Sequence, residues 1–206
     1  TPSGRLPVSL PRSAGAQPYS YLHPLLGGPS GVTSTDPTPV RPFGFGLSYT
    51  TFERGELRVD GVTATHARRD AGVPASGISA EARAGDAFTV SARVTNTGAV
   101  CGADVVQIYA HRAVATVTRP VAQLVAYARV ELDPGESADV RFTVPASRLA
   151  YSDRALRRVV EAGEVELRLG PSCAAVDESV TLRITGPAYE VGIDDARIVE
   201  VDVRRG

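Results

Sequence analysis

Hydrophobic and polar residues alternate along four segments of the chain. Residues 88–94, 140–144, 165–169 and 180–184 each place an apolar side chain at every second position. This alternation is typical of a β-strand that has one face in a core and the other in water. The pattern therefore predicts four strands that share a buried face.

Further strands are predicted at residues 57–65, 105–110, 124–132 and 198–203, with a short helical turn at 147–150. Short strands that follow one another with no convincing helix between them predict an all-β fold, an antiparallel β-sandwich. Turn-forming sequences separate the strands. They are Asn96-Thr97-Gly98, Asp133-Pro134-Gly135, Glu161-Ala162-Gly163 and Gly170-Pro171-Ser172.

The first 40 residues lack this order. The apolar run at residues 6–10 contains Pro7, which cannot donate to a strand ladder, so it is an edge strand at best. Residues 13–40 show neither the two-residue period of a strand nor the 3.6-residue period of a helix. About 28 residues without regular structure are unusual within a compact domain. This segment is therefore either disordered or laid over a surface that the chain lacks. We expect residues 1–45 to be poorly ordered or weakly packed when the chain is produced alone.

Residues 41–52, Arg-Pro-Phe-Gly-Phe-Gly-Leu-Ser-Tyr-Thr-Thr-Phe, join the two regions and are called the junction below. The junction holds four of the chain's twelve aromatic residues, which are seven tyrosines and five phenylalanines. Gly44 and Gly46 allow the backbone to turn or to approach a neighbour closely. A merely flexible linker would not be aromatic. The junction is therefore predicted to be packed, with its rings held between two bodies.

The charge of the chain excludes some partners. Twenty-two basic and 23 acidic residues give a formal net charge of -1, and no basic stripe is present. Nucleic acid and anionic membranes are therefore not expected as partners. No apolar run approaches the roughly 20 residues that span a bilayer. The chain has no initial Met and is expected to be a fragment or a processed product. A secreted and a cytoplasmic parent both stay open.

No catalytic set, metal site or cofactor site is predicted. A glycosidase needs two carboxyl groups that face one bond, but the neighbours Asp177-Glu178 and Asp194-Asp195 point apart in extended chain. These acids, with Asp86 and Asp153, are interpreted as residues of turns. No nucleophile elbow or phosphate-binding loop is present.

Cys101, Cys173 and three scattered histidines are too few and too far apart in sequence for a metal site. The cysteines are expected to be two small buried residues. A disulfide between them stays open, since the sequence cannot show it.

One cluster of aromatic and polar residues is interpreted as a possible sugar-binding site. Tyr19, Tyr21 and His23 combine rings with polar groups, as sugar-binding sites often do. They are predicted to bind substrate from a loop at the rim of an active site. The alternative is that the tyrosines anchor a long loop to its neighbour.

The junction sequence Pro-Phe-Gly-Phe-Gly-Leu-Ser-Tyr-Thr-Thr-Phe resembles the entry to the C-terminal domain of glycoside hydrolase family 3 enzymes, the β-glucosidases and β-xylosidases. Residues 2–12 are similar to the last strand of the family's α/β sandwich domain. Four later stretches match the family's pattern in order and spacing. They are Asn96-Thr97-Gly98 with Gly102 to Tyr109, Arg119-Pro120 with Gln123-Leu124, Val130 to Ser137, and Glu161-Ala162-Gly163 with Leu169-Gly170.

Two departures from the family pattern concern packing. Val125-Ala126-Tyr127 stand where the family usually has Lys-Gly-Phe. Val159-Val160 stand where a Trp is common, and the chain has no Trp.

The resemblance implies a division of the chain. Residues 1–40 would be the end of an α/β sandwich domain with a long loop, and residues 41–52 the junction. Residues 53–186 would be a domain of the immunoglobulin or fibronectin type III-like kind. The resemblance does not place residues 187–206, which the residue pattern predicts to be a tail with an extra strand.

The resemblance also implies the reaction of a parent protein. It would hydrolyse terminal non-reducing β-D-glucosyl or β-D-xylosyl units of oligosaccharides or glycosides with retention of configuration. The family's nucleophile and its acid/base both lie outside this chain, so the sandwich would support the N-terminal catalytic domains of the same parent and be inactive alone. The alternative is a stand-alone carbohydrate-binding or adhesion module, which would need an exposed aromatic platform.

Overall fold

The computed structural model describes residues 1–15, 20–29, 31–32, 36–59, 62–63, 65–66 and 80–206. Strands dominate these residues, and the only helices among them are two short 3₁₀ turns, Leu25–Gly27 and Ala146–Leu149. In chain order the strands are β1 Phe52–Val59, β2 Val62–Thr63, β3 Thr65–His66, β4 Ala80–Arg83, β5 Ala87–Asn96, β6 Gly102–His111, β7 Gln123–Leu132, β8 Ser137–Pro145, β9 Tyr151–Ser152, β10 Arg158–Val160, β11 Gly163–Leu169, β12 Glu178–Thr185, β13 Tyr189–Glu190 and β14 Glu200–Arg205.

Two sheets form a sandwich. The first has the strand order β14-β8-β5-β1-β2, and the second has the order β3-β12-β11-β6-β7 with β4 also paired to β12. The pairs are antiparallel except for β4 with β12. A small third sheet has the order β13-β10-β9. The predicted all-β antiparallel sandwich is confirmed.

The core lies between the two large sheets and contains the alternating apolar residues. In the first sheet Phe88 pairs with Val144 and Val90 with Phe142, and each is at most 2% exposed. In the second sheet Leu167 is fully buried on β11. Burying one such side chain stabilises the fold by about 1.5–3 kcal/mol. All four strands predicted from alternation are therefore confirmed.

The less regular strands differ in detail from the prediction. The segment at 57–65 is divided, because β1 ends at Val59 and two-residue strands follow. Within β1 the register shifts between Gly55 and Arg58, and Glu56 has a left-handed φ of 53°. The bulge turns the N–H of Leu57 toward Glu178 on β12 in the other sheet, whose carboxylate accepts it at 2.7 Å. Glu178 is only 5% exposed, so its interpretation as a turn acid is wrong.

The start of the chain pairs with the junction rather than forming a strand of the sandwich. Leu6 donates its N–H to Phe45 and accepts one from Gly44, at 2.8 and 2.9 Å. Leu10 and Arg41 form an isolated antiparallel bridge. Residues 1–10 and 40–46 thus hold each other in an extended arrangement.

The cysteines and the tail differ in part from the prediction. Cys101 and Cys173 are both free, and Cys101 is exposed, so the expectation of two buried residues is wrong for Cys101. Strand β14 pairs with β8 along six residues, which places it two positions later than predicted. Among the described residues no helix is long and apolar enough to cross a membrane.

Candidate functional site

The outer face of β6 is the best-defined candidate site in the described part of the chain. Alternation along the strand directs Val106 and Ile108 into the core, and Gln107 and Tyr109 to the opposite face. In a two-layer sandwich that face would meet water. Gln107 and Tyr109 are nevertheless only 2% exposed. Another part of the chain must therefore cover this face.

The cover is the junction, and it is held by a closed hydrogen-bond network. The side-chain amide of Gln107 donates to the carbonyls of Gly44 and Pro171, at 3.2 and 3.0 Å. The Tyr109 hydroxyl donates to Gln107 Oε1 at 2.8 Å. Gly44 has a φ of +82°, and a Cβ there would lie 2.3 Å from the Tyr109 hydroxyl. Only glycine allows this approach.

Three aromatic rings extend the contact. Tyr21 stacks on Phe43 with ring centroids 3.9 Å apart, and Phe43 meets the Tyr109 ring edge-on at 6.4 Å. Burial raises the pKa of both tyrosines, so their hydroxyls stay neutral at physiological pH. We call Tyr21, Phe43, Gly44, Gln107 and Tyr109 the outer-face cluster. The cluster holds the N-terminal segment and the junction against β6, and its neutral hydroxyls are not suited to proton transfer.

A buried ion pair fixes the start of the chain beside this cluster. Asp104 on β6 has no exposed surface, and it accepts hydrogen bonds from Arg54 on β1 at 2.6 and 2.7 Å. Arg5 also donates to Asp104. One buried carboxylate therefore links residues 1–10 to both sheets, since β1 and β6 belong to different ones.

The structure places two of the three predicted substrate-binding residues. One face of the Tyr21 ring is taken up by Phe43. His23 lies against the loop before β7, where its carbonyl accepts the N–H of Val121 at 3.0 Å, and its Nδ1 is 2.8 Å from the Pro24 oxygen. Tyr19 lies outside the described residues. Substrate binding by these residues stays a prediction.

Three of the four aromatic rings of the junction are packed. Phe43 belongs to the outer-face cluster, Arg41 lies 4.9 Å over the Phe45 ring, and Phe52 packs against the core. Tyr49 is 80% exposed, so the expectation that every junction ring is held is wrong for this residue.

Two of the other acids interpreted as turn residues have structural partners. Asp153 accepts the N–H groups of Ala155 and Arg157, which closes the turn after β9. Asp195 accepts the Tyr189 hydroxyl at 2.6 Å. Over the described ranges, no group of three or more His, Cys, Asp or Glu residues is placed to hold a metal ion.

The N-terminal segment exposes many large apolar side chains. Half of the large apolar side chains that the described residues expose lie in the first 49 residues, which are about a quarter of the chain. Leu25, Leu26 and Val32 are 76%, 92% and 95% exposed. The others are Val8, Leu10, Leu22, Val40, Leu47 and Tyr49. Such concentration is typical of a surface that meets another protein body.

Sequence reasoning missed Gln107 and Tyr109 as contact residues, although a signal was present. Residues 105–110, Val-Val-Gln-Ile-Tyr-Ala, do not alternate, as expected of a strand covered on both faces.

Comparison with known proteins agrees with this fold. The sequence profile of the fibronectin type III-like domain matches residues 104–173. A β-xylosidase from Formosa agariphila is 36% identical over 187 residues, which are 89% of this chain and 23% of that protein. A periplasmic β-glucosidase from Salmonella typhimurium is 32% identical over 86% of this chain and 22% of its own length. The crystal structure of a β-glucosidase from Listeria innocua in complex with glucose superimposes with a TM-score of 0.72 at 26% identity, over 90% of this chain and 25% of that one.

The sandwich is therefore a fibronectin type III-like domain. The chain spans less than a quarter of the length of the two relatives named above. These matches support the interpretation of the chain as the C-terminal part of a glycoside hydrolase family 3 enzyme.

Proposed function

We propose that the chain is a non-catalytic, supporting part of a retaining β-glycosidase that removes terminal non-reducing β-D-glucosyl or β-D-xylosyl units. The names of the relatives support this reaction for the parent. Described acids such as Asp104, Asp153, Glu178 and Asp195 are engaged in structural bonds, which agrees with a site elsewhere in the parent.

The observation that carries the proposal is the two-sided character of the N-terminal segment. Its inner side is fixed to the sandwich by Gly44, Phe43 and Arg5. Its outer side exposes leucines and valines to solvent. In this proposal the exposed apolar side chains contact the catalytic portion of the parent, while the inner contacts attach the segment to the sandwich.

The alternative, a stand-alone carbohydrate-binding module, needs a platform of exposed rings. Phe88, Tyr109, Phe142 and Tyr151 are buried. Tyr127 and Tyr189 are 63% and 37% exposed, and no described ring pairs with either of them. This arrangement favours the supporting role.

The test is complementation. Hydrolysis of p-nitrophenyl β-D-glucoside and β-D-xyloside is measured with the 206-residue chain alone, and then with the catalytic portion of the parent supplied as a separate polypeptide. We expect no hydrolysis by the chain alone and restored hydrolysis by the mixture. Hydrolysis by the chain alone would refute the non-catalytic role.

Two surface variants sharpen this test. Leu26→Asp and Ile193→Asp each replace an apolar side chain that is about nine-tenths exposed, at 92% and 89%, so neither should disturb folding. Leu26→Asp is expected to weaken complementation at least tenfold, since it would bury an unpaired charge in the contact. Ile193→Asp lies in the tail and is expected to have no effect. Equal effects of the two variants would contradict the proposed surface.

A further inference from the structure

A small pocket lies where β6 ends and the following loop leads into β7. It is lined by apolar side chains together with arginine and glutamine side chains. The residues used below are Ala110, Leu149, Val165, Arg112, Arg119 and Gln123. Neither the outer-face cluster nor the proposed apolar surface includes any of them.

Arg112 is a structural residue of this pocket. It is 8% exposed, and its guanidinium donates to the carbonyls of Val114, Glu161 and Ala162. All three of its nitrogen atoms therefore have backbone partners. Arg112 shapes the pocket but has little capacity left for a ligand.

Arg119 is different, because its charge has no carboxylate partner among the described residues. Its guanidinium lies 4.3 Å over the Tyr151 ring and donates one hydrogen bond, to Gln123 Oε1 at 3.1 Å. Burial lowers the pKa of Arg119, and the positive charges of Arg112 and Arg158 act in the same direction. A partly desolvated cation of this kind gains from a negative partner.

The neighbouring polar groups are already engaged. Gln123 uses its oxygen for Arg119 and its nitrogen for the Arg148 carbonyl at 3.3 Å. Glu161 accepts hydrogen bonds from the Tyr151 hydroxyl and from Thr116. The groups of the pocket that can still bind a ligand are the remaining N–H groups of Arg119, whose guanidinium is held in place by the Tyr151 ring.

We propose that the Arg119 pocket is a carboxylate-binding site. A guanidinium fork that is fixed by stacking matches the planar, two-oxygen geometry of a carboxylate. Ala110, Leu149 and Val165 provide apolar walls for the group that carries it. The pocket is small, so it takes the carboxylate end of a molecule rather than a sugar ring. This assignment stands independently of the proposed function.

The experiment is a titration of the 206-residue chain followed by NMR of its ¹⁵N-labelled arginine Nε–Hε groups. Sodium acetate is added at constant ionic strength, with sodium chloride as the reference salt. The Arg119 resonance, identified by its loss in Arg119→Lys, is expected to shift in a saturable way with millimolar acetate and not with chloride. A shift that is linear, or equal with chloride, would overturn the proposal.

Two variants with the same added charge separate the pocket from general electrostatics. Gln123→Glu places a carboxylate at the position that already contacts Arg119, and is expected to weaken acetate binding at least tenfold. Ala99→Glu adds the same charge in the exposed turn at the opposite end of β6, roughly 30 Å away along the strand, and is expected to leave binding unchanged. An equal loss in both variants would refute a specific site.

A second arm distinguishes the source of the carboxylate. N-acetyl-L-glutamate N-methylamide replaces acetate as a stand-in for a protein side chain. Binding at least as tight as that of acetate identifies an acidic side chain as the ligand. Binding of acetate alone identifies a small free carboxylate. Binding of neither would overturn the assignment.

Discussion

The carboxylate of Glu178 accepts the backbone N–H of Leu57 at 2.7 Å, so that a side chain from one sheet completes the bulged backbone of the other. Leu57 is fully buried, and its N–H has left the ladder where β1 changes register. An unpaired buried N–H costs about 1–3 kcal/mol. The conformation of β1 therefore depends on a residue 121 positions away.

Glu178→Ala is expected to lower the free energy of unfolding by about 1–3 kcal/mol, because no acceptor for the Leu57 N–H remains. Glu178→Gln is expected to lose less than half as much, since the amide oxygen still accepts. Urea unfolding followed by circular dichroism measures both. Glu164→Ala, on an exposed position of the adjacent β11, is the control and should change little. Equal losses for the alanine and glutamine variants at position 178 would rule out the hydrogen bond as the cause.

Gly44→Ala is expected to destabilise the chain by about 3 kcal/mol, from a left-handed backbone and from overlap with Tyr109 and Gln107. Gly135→Ala is the matched control, since Gly135 has nearly the same φ, +78° against +82°, but nothing within 4 Å of the added Cβ. It should cost only about 1–2 kcal/mol. Unfolding free energies and the rate of proteolysis within residues 1–46 report the difference. If both variants behave alike, the junction does not seal the outer face of β6.

Asp104→Asn is expected to cost about 3–5 kcal/mol, because it leaves the buried Arg5 without its negative partner and Arg54 with only Asp177, 3.9 Å away. The comparison is Asp139→Asn, which breaks the exposed pair with Arg93 and should cost under about 1 kcal/mol. Chemical denaturation of both variants measures the costs. In the Asp104→Asn background, Arg5→Met should become less costly than in the parent chain. Losses of similar size at positions 104 and 139 would argue against a buried anchor.

The two cysteines are expected to react at different rates. Burial raises the pKa of Cys173 to about 11, and a bond to Asp133 raises the pKa of the exposed Cys101. A raised pKa lowers the thiolate fraction, so at pH 8 only about one Cys173 in a thousand is the reactive thiolate. Alkylation of the Cys101→Ser variant should therefore be slow at pH 8 and rise about 100-fold by pH 10.

Iodoacetamide labelling followed by mass spectrometry checks this, with Cys173→Ser as the partner variant that reports Cys101. In Gly44→Ala the Cys173 thiol should react faster, because its backbone N–H is bonded to Phe43 in the same junction. A rate at Cys173 that matches that of Cys101 at pH 8 would show that the junction does not protect it.

Local patterns account for most of the fold. Strands β5, β8, β11 and β12 each bury every second residue, and alternation alone predicted them. The alternation that predicts each strand lies within five to seven consecutive residues. The prediction of these strands did not depend on which segments cover the outer faces of the sheets.

The site was harder to predict because its contacts are long-range. Asp104 meets Arg5 across 99 positions, and Gln107 meets Gly44 across 63. No period in the sequence encodes such pairings. Tyr21 was selected for its hydroxyl and ring, but the structure uses the ring for stacking on Phe43, and its part in substrate binding remains to be tested. The apolar run of β6 was the available clue.

Strand β6 is covered on one face by the core and on the other by the junction. The smallest part of the chain that folds by itself therefore includes the junction. A protein shortened to begin at Phe52 would retain every strand of the sandwich. It would also bare Gln107 and Tyr109, remove the carbonyl of Gly44 that Gln107 uses, and leave Asp104 with one of its two arginines. In such a protein the outer face of β6 would be exposed to water with part of its hydrogen-bond partners missing. We expect it to self-associate. The part of the chain that folds by itself thus includes the residues that complete the hydrogen bonds of β6, and it extends beyond the limits of the sheets.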